Sequence, residues 1–160
     1  REVGDALAKL GVRFVYRSEI SGNMPPREQG SLDCLLVNTT GELKYFYEEA
    51  AVVFIGKSLT AQGGQNPIEP AGLAKAIVFG PHMGNFEEIT SKFLANDAAI
   101  QVADEAGLES AIDNLLSDEG KRDALGQAAQ KVVQSNEGAV ERTVEMILSG
   151  IKTGEMVQKY

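Results

Sequence analysis

Three short apolar runs, Leu32–Val37, Val52–Ile55 and Ala76–Phe79, leave this chain few ways to fold. Each is too short for a buried helix, and none shows the in–out alternation of a strand with one wet face. Such runs suit strands covered on both sides, as in a parallel sheet. Val12–Tyr16 and Ala98–Val102 read as two further strands. The segments between them carry a different period. Val3, Ala6, Leu7 and Leu10 share one face of a helix that Gly11 ends, and Leu43, Phe46, Tyr47 and Ala50 follow the i, i+3, i+4, i+7 spacing. Phe86, Ile89 and Phe93 form another stripe. From about Asp104 onward, helical spacing runs through Leu108–Leu115, Leu125–Val132 and Val140–Ile147. Alternating strands and helices of this kind predict an α/β fold, a Rossmann-like parallel sheet flanked by helices. The chain ends in a helical C-terminal tail. Residues 18–30 read as a loop, and residues 151–160 as a frayed polar tail.

The net charge of −8 argues against nonspecific binding to nucleic acid or anionic lipid. Helix-start amides can still make a local anion site. Cys34, the single cysteine, sits inside an apolar run and reads as a buried small hydrophobe rather than a reactive thiol. One cysteine makes neither an internal disulfide nor a zinc cluster, which suits a reducing compartment. No segment approaches the roughly 18–20 apolar residues of a membrane span, and no signal peptide is visible. There is no Walker loop, metal-ligand spacing or nucleophile elbow.

In open parallel sheets, ligands bind beyond the carboxyl ends of the strands. Three such crossings carry a cap-like pair three residues apart: Thr39 and Glu42, Asn66 and Glu69, Asn85 and Glu88. Helix capping alone accounts for each pair. The Gly63-Gly64 pair before Asn66 goes further, because it permits positive φ and close approach of a ligand to the backbone. Pro67 at the first helical position would leave a helix start with amides open to phosphate. Glu69 in that first turn would accept hydrogen bonds from a ribose diol. His82, the lone histidine, lies in the Gly80–Asn85 loop and reads as part of a pocket wall more than as an acid–base catalyst.

Taken in order, Asn38-Thr39-Thr40-Gly41-Glu42-Leu43, Phe54–Leu59, Gly63-Gly64-Gln65-Asn66-Pro67-Ile68-Glu69-Pro70-Ala71 and Phe79-Gly80-Pro81-His82-Met83-Gly84-Asn85-Phe86 resemble the C-terminal domain of the 3-deoxy-D-manno-octulosonic acid (Kdo) transferases. The likeness covers about Arg1 to Val102 well and the helical tail loosely. It implies the C-terminal half of a GT-B glycosyltransferase, with residues 1–150 as the nucleotide-sugar (donor) domain. The donor would be CMP-Kdo and the acceptor a lipid A precursor, in lipopolysaccharide core synthesis. Transfer would be inverting, without metal or other cofactor, at the cytoplasmic face of the bacterial inner membrane. By position, Ser58, Gly63, Gly64, Asn66 and Glu69 would meet phosphate and ribose. Thr39, Gly41 and Glu42, with Pro81, His82, Met83 and Asn85, would frame the base and the sugar acid. The family usually has Asp at the place of Asn38 and His at that of Gln65. The resemblance also implies a strand before residue 2, and an acceptor domain carrying the catalytic carboxylate and a membrane-associated segment, so that residues 1–160 alone would be inactive. A UDP-sugar transferase or epimerase, or a non-catalytic Rossmann-like binding module, would show much of the same glycine chemistry.

Overall fold

The computed structural model describes residues 2–20 and 30–152, with side chains described through residue 136. The chain divides into two compact units, Arg1–Tyr45 and Phe46–Tyr160.

The first unit holds helix α1 (Glu2–Lys9), strand β1 (Phe14–Tyr16) and strand β2 (Cys34–Leu36). The strands are parallel, with Val15 opposite Leu35 and Tyr16 opposite Leu36. Arg13 and Asp33, just ahead of the two strands, lock this register. The Arg13 backbone N–H donates to Asp33 Oδ2 at 3.0 Å, and its Nε donates to the same oxygen at 2.9 Å. Two expectations change here. The apolar stripe of α1 is not its packed face: Val3 is 60% and Leu10 77% exposed. The helix instead approaches β1 through Gly4, where a Cβ would meet the Tyr16 hydroxyl and force that side chain to shift. Nor is β2 covered on both sides, since Leu35 is 37% exposed in a sheet of two strands. Cys34 is half-buried there. Gly22, Pro25 and Pro26 of the expected loop, and residues 153–160 of the expected tail, lie outside the described residues.

The hydrogen bonds from Arg13, together with its charge, lower the Asp33 carboxyl to about 2. Its folded value lies below its unfolded one. The pair's contribution to stability is therefore complete above about pH 4 and fades as pH falls toward 2. In an Arg13→Gln chain, the NMR titration midpoint of Asp33 is expected to return to the ordinary carboxylate range. A midpoint that stays put would show that the pair does not set it.

Helix α2 (Leu43–Glu49) leads into the second unit, whose sheet has the order β3 (Val52–Ile55), β4 (Ala76–Phe79), β5 (Ile100–Gln101), all parallel. Helices α3 (Ile68–Gly72), α4 (Glu87–Ala95), α5 (Glu105–Ser117) and α6 (Glu119–Lys152) complete it. Period-two geometry explains why β3 and β4 lack polar positions. Val53, Ile55, Ile77 and Phe79 pack in one cluster with Ala71 of α3, Phe93 of α4 and Ala129, Val132 and Val133 of α6. Ala76 and Val78, backed by Val52 and Phe54, pack in another with Ala111 and Leu115 of α5. Both faces are thus buried, and the α/β expectation holds for this unit. Asp104 caps α5 by accepting the Gly107 N–H at 2.8 Å. The last two helical segments read from the sequence are one helix, since α6 is continuous over 34 residues.

Candidate functional site

The carboxyl ends of β3 and β4 are joined by a set of cross-stitches centred on Ser58. After β3 the chain turns at Lys57, held at φ 56, a left-handed conformation that a lysine adopts only under constraint. The carbonyl of Lys57 accepts the Gly64 N–H at 3.0 Å, closing the loop on itself. Ser58 is fully buried. Its Oγ donates to the Ile55 carbonyl at 2.5 Å and accepts the Gly80 N–H at 2.8 Å. Its carbonyl accepts the His82 N–H at 2.8 Å, and the Gly63 carbonyl accepts the Asn85 N–H at 3.1 Å. Residues 56–66 and 80–86 are therefore one structural body. The Ser58 hydroxyl is used at both ends by the protein, so its place is behind the loop surface, where a phosphate would not meet it.

The glycine pair adopts the expected conformation, with Gly63 at φ 99 and Gly64 at φ 70. Close approach is also present, though it comes from within the chain. A Cβ on Gly64 would strike the Met83 sulfur, and one on Gly63 would lie 2.8 Å from Asn85 Nδ2. Gly63, Gly64, Met83 and Asn85 thus form one patch, with Met83 buried beneath it and Asn85 exposed.

Beyond the glycines, Asn66 Oδ1 accepts the Ile68 N–H at 3.0 Å and its Nδ2 donates to Glu69 Oε1 at 3.1 Å. Pro67 takes the cap position and α3 starts one residue later than expected, at Ile68. The open helix start is modified by this: its first amide is taken by Asn66, and α3 has only 5 residues to build a dipole. Glu69 remains exposed in the first turn. Half-buried Tyr47, which spacing marks only as a core position, stands near enough for the Glu69 charge to matter. Burial and that charge both push its phenol above the ordinary range.

The Asn85–Glu88 pair does not cap α4. Phe86 occupies the cap position, behind a 3-10 turn at Gly84–Phe86, and Glu88 instead accepts from Lys92 Nζ at 2.7 Å. That bond lowers the Glu88 carboxyl below its ordinary value. His82 is half-buried, with Nδ1 3.4 Å from Gln62 Nε2, beside exposed Pro81. A groove of about 440 Å³ opens there, lined by Gln62, His82, Met83, Glu87, Ser91 and Gln101. A groove of similar size between α4 and α6, lined by Lys92, Asn96, Lys131 and Asn136, lies away from the strand ends.

In the first unit, Thr39 Oγ1 donates to Glu42 Oε2, a bond between side chains where the spacing predicts a pair of caps on backbone amides. Gly41 between them has φ 81. Sequence reasoning missed Arg17, which follows β1 directly and donates from Nη2 to Glu42 Oε1 at 2.7 Å. Asn38 bridges to Ser18, accepting its N–H at 3.0 Å and donating to its Oγ at 2.8 Å. An aspartate could make the same bridge with the hydroxyl proton reversed, which accounts structurally for the Asn at this place. Among the described residues, no three His, Cys, Asp or Glu side chains group as metal ligands, and no helix is long and apolar enough to cross a membrane.

No family model matches the chain. It is 32% identical over 146 residues to the 3-deoxy-D-manno-octulosonic acid transferase of Haemophilus influenzae, covering 91% of this chain and 33% of that protein. To the protein of the same description from Bordetella pertussis it is 31% identical over 147 residues, covering 91% and 33%. The chain therefore spans about a third of the length of the curated relatives it matches. Among solved structures, it superposes with a TM-score of 0.74 on the C-terminal CMP-Kdo binding domain of WaaA from Acinetobacter baumannii. That match has 28% identity and covers 83% of this chain and 67% of that one.

Proposed function

Since the chain is a homologue of the C-terminal domain of the Kdo transferases, we propose that it is the donor-binding domain of such a glycosyltransferase and holds CMP-Kdo. The observation that carries this reading is the likeness, over 83% of the chain, to a domain described as binding CMP-Kdo. The stitched loops at the ends of β3 and β4 give it a physical basis. They fix Gly63, Gly64 and Asn85 as one surface beside Asn66 and Glu69. Glu69 receives the ribose diol, and the phosphate lies beside the Gly63–Gly64 turn. The Pro81–Asn85 loop, tied to the glycine loop, forms one wall of that surface.

In the complete enzyme the fold is GT-B, and a second domain supplies the acceptor site and a carboxylate base. The acceptor hydroxyl of a lipid A precursor attacks the anomeric carbon of Kdo as the bond to phosphate breaks. CMP leaves with the electron pair, the hydroxyl proton passes to the base, and configuration inverts. In this reading the transfer needs no metal. The product belongs to lipopolysaccharide core synthesis at the cytoplasmic face of the inner membrane. Calorimetric titration of the chain with CMP and UMP tests the donor assignment. CMP is expected to bind at least tenfold more tightly than UMP. The reverse order would point to a UDP-sugar donor, and binding of neither would leave only a non-nucleotide module.

A further inference from the structure

The seam between α4 and α6, wholly within the second unit, carries a groove that the donor reading does not use. Its volume is about 460 Å³, the size of a site for a small organic molecule. The chain has a net charge of −8, yet the described residues lining this groove include two lysines, Lys92 and Lys131, and no carboxylate. On an acidic protein such a spot attracts an anion that the rest of the surface repels. The donors are also held in place. Lys92 Nζ on α4 donates to Asn136 Oδ1 on α6 at 2.8 Å and to Glu88 Oε1 at 2.7 Å, which engages two of its three N–H groups. The Asn136 carboxamide is fixed by a bond from Nδ2 to the Val132 carbonyl at 2.7 Å. That of Asn96 is fixed by one from Nδ2 to the Lys92 carbonyl at 2.8 Å. Each of these three nitrogens keeps one further N–H for a ligand.

Glu88 offsets the charge of Lys92, whereas Lys131 has no ion-pair partner among the described residues, so the net charge of the groove comes from Lys131. A phosphomonoester, with three acceptor oxygens and up to two negative charges, uses this many donors better than a carboxylate does. The groove also has room for an apolar body. Val132 lies at its base, and a neighbouring groove of about 660 Å³, with Phe86 and Ile89 in its wall, shares Lys92 and Asn136 with it. We propose that the α4–α6 groove is a second ligand site, for an organic phosphomonoester whose oxygens are met by Lys131, Lys92, Asn96 and Asn136. A soluble ester and a lipid headgroup present the same chemistry to it. The inference does not rest on the donor reading, since it shares no residue with the Gly63–Gly64 surface.

The test is an NMR titration of the whole chain with phenyl phosphate, read on the side-chain carboxamide signals of Asn96 and Asn136. Saturable shifts of both are expected, and phenol, which lacks the anion, should cause none. Lys131→Gln is expected to weaken binding about tenfold, the size of one charge-assisted hydrogen bond, and Lys131→Arg to keep it within about threefold. Lys131 is exposed and on no listed bond of the frame, and the arginine variant carries the test should the glutamine one not fold. CMP affinity, measured on the same chains, should not change with Lys131→Gln. Absent shifts, equal shifts with phenol, or parent-like binding of phenyl phosphate by Lys131→Gln each overturns the proposal. An equal loss of CMP affinity in that variant also overturns it, because the groove would then be part of the donor site. A parent chain that binds phenyl phosphate but not CMP sinks the donor reading and leaves this one standing. Vesicles separate the two sources. Broadening of the two carboxamide signals by phosphatidic acid vesicles, and not by phosphatidylcholine ones, assigns a lipid headgroup; broadening by neither assigns a soluble ester.

Discussion

Replacing Gly80 with alanine is expected to destabilise the second unit by about 3 kcal/mol, the upper end of what overpacking causes. A Cβ there would run into the Ser58 carbonyl oxygen, 2.5 Å from Leu59 Cα and 2.6 Å from the Ser58 carbonyl carbon. All three are backbone atoms, so no rotamer change can relieve the clash. The loops can separate only by giving up the Gly80 N–H to Ser58 Oγ and His82 N–H to Ser58 carbonyl bonds. Those groups are buried, and each one left without a partner costs about 1–3 kcal/mol. Gly84→Ala is the matched control: nothing lies within 4 Å of its Cβ position, and its midpoint should barely move. Urea unfolding of the two variants reads the difference directly. Equal midpoints would mean that the β3 and β4 loops are not held by this contact.

Glu69→Ala should leave stability nearly intact and weaken CMP binding by about tenfold to a hundredfold. Its carboxylate is exposed, and its one internal bond is to Asn66, so folding depends on it little. A ribose hydroxyl donating to a carboxylate is worth about 1.5–3 kcal/mol, which gives the range. Comparison with 2′-deoxy-CMP isolates the cause. The parent chain should prefer CMP, and Glu69→Ala should bind both nucleotides alike. A preference for CMP that survives the substitution would place the ribose elsewhere.

Much of the second unit was legible in the sequence because two of its strands, β3 and β4, are buried on both faces. Val53 and Ile55 on one side, and Ala76 and Val78 on the other, are all apolar for that reason. In the first unit the same rule misled. Leu35 looks like a buried strand residue yet is 37% exposed, because apolar identity tells which faces dislike water and not whether anything covers them. At Asn66 and Glu69 the spacing marked a real local contact, but one between the two side chains, with Pro67 at the cap position. The cap reading failed at Asn85 and Glu88, where Lys92 one turn on competes for the carboxylate and a 3-10 turn delays the helix. The roles of Ser58 and Arg17 were out of reach. Their partners stand 22 and 25 residues away and become neighbours only once parallel strands set their ends level.

The ties between the two loops of the second unit use backbone groups and one buried hydroxyl. Gln65 and Pro81 on the outer surface take no part in them through their side chains, and Gln62 adds only an exposed contact to His82 Nδ1 at 3.4 Å. Scaffold and outer surface are consequently separable under mutation. Changes at these exposed positions can be made while the frame stays as it is, whereas little room for change is left at Ser58 and Gly80.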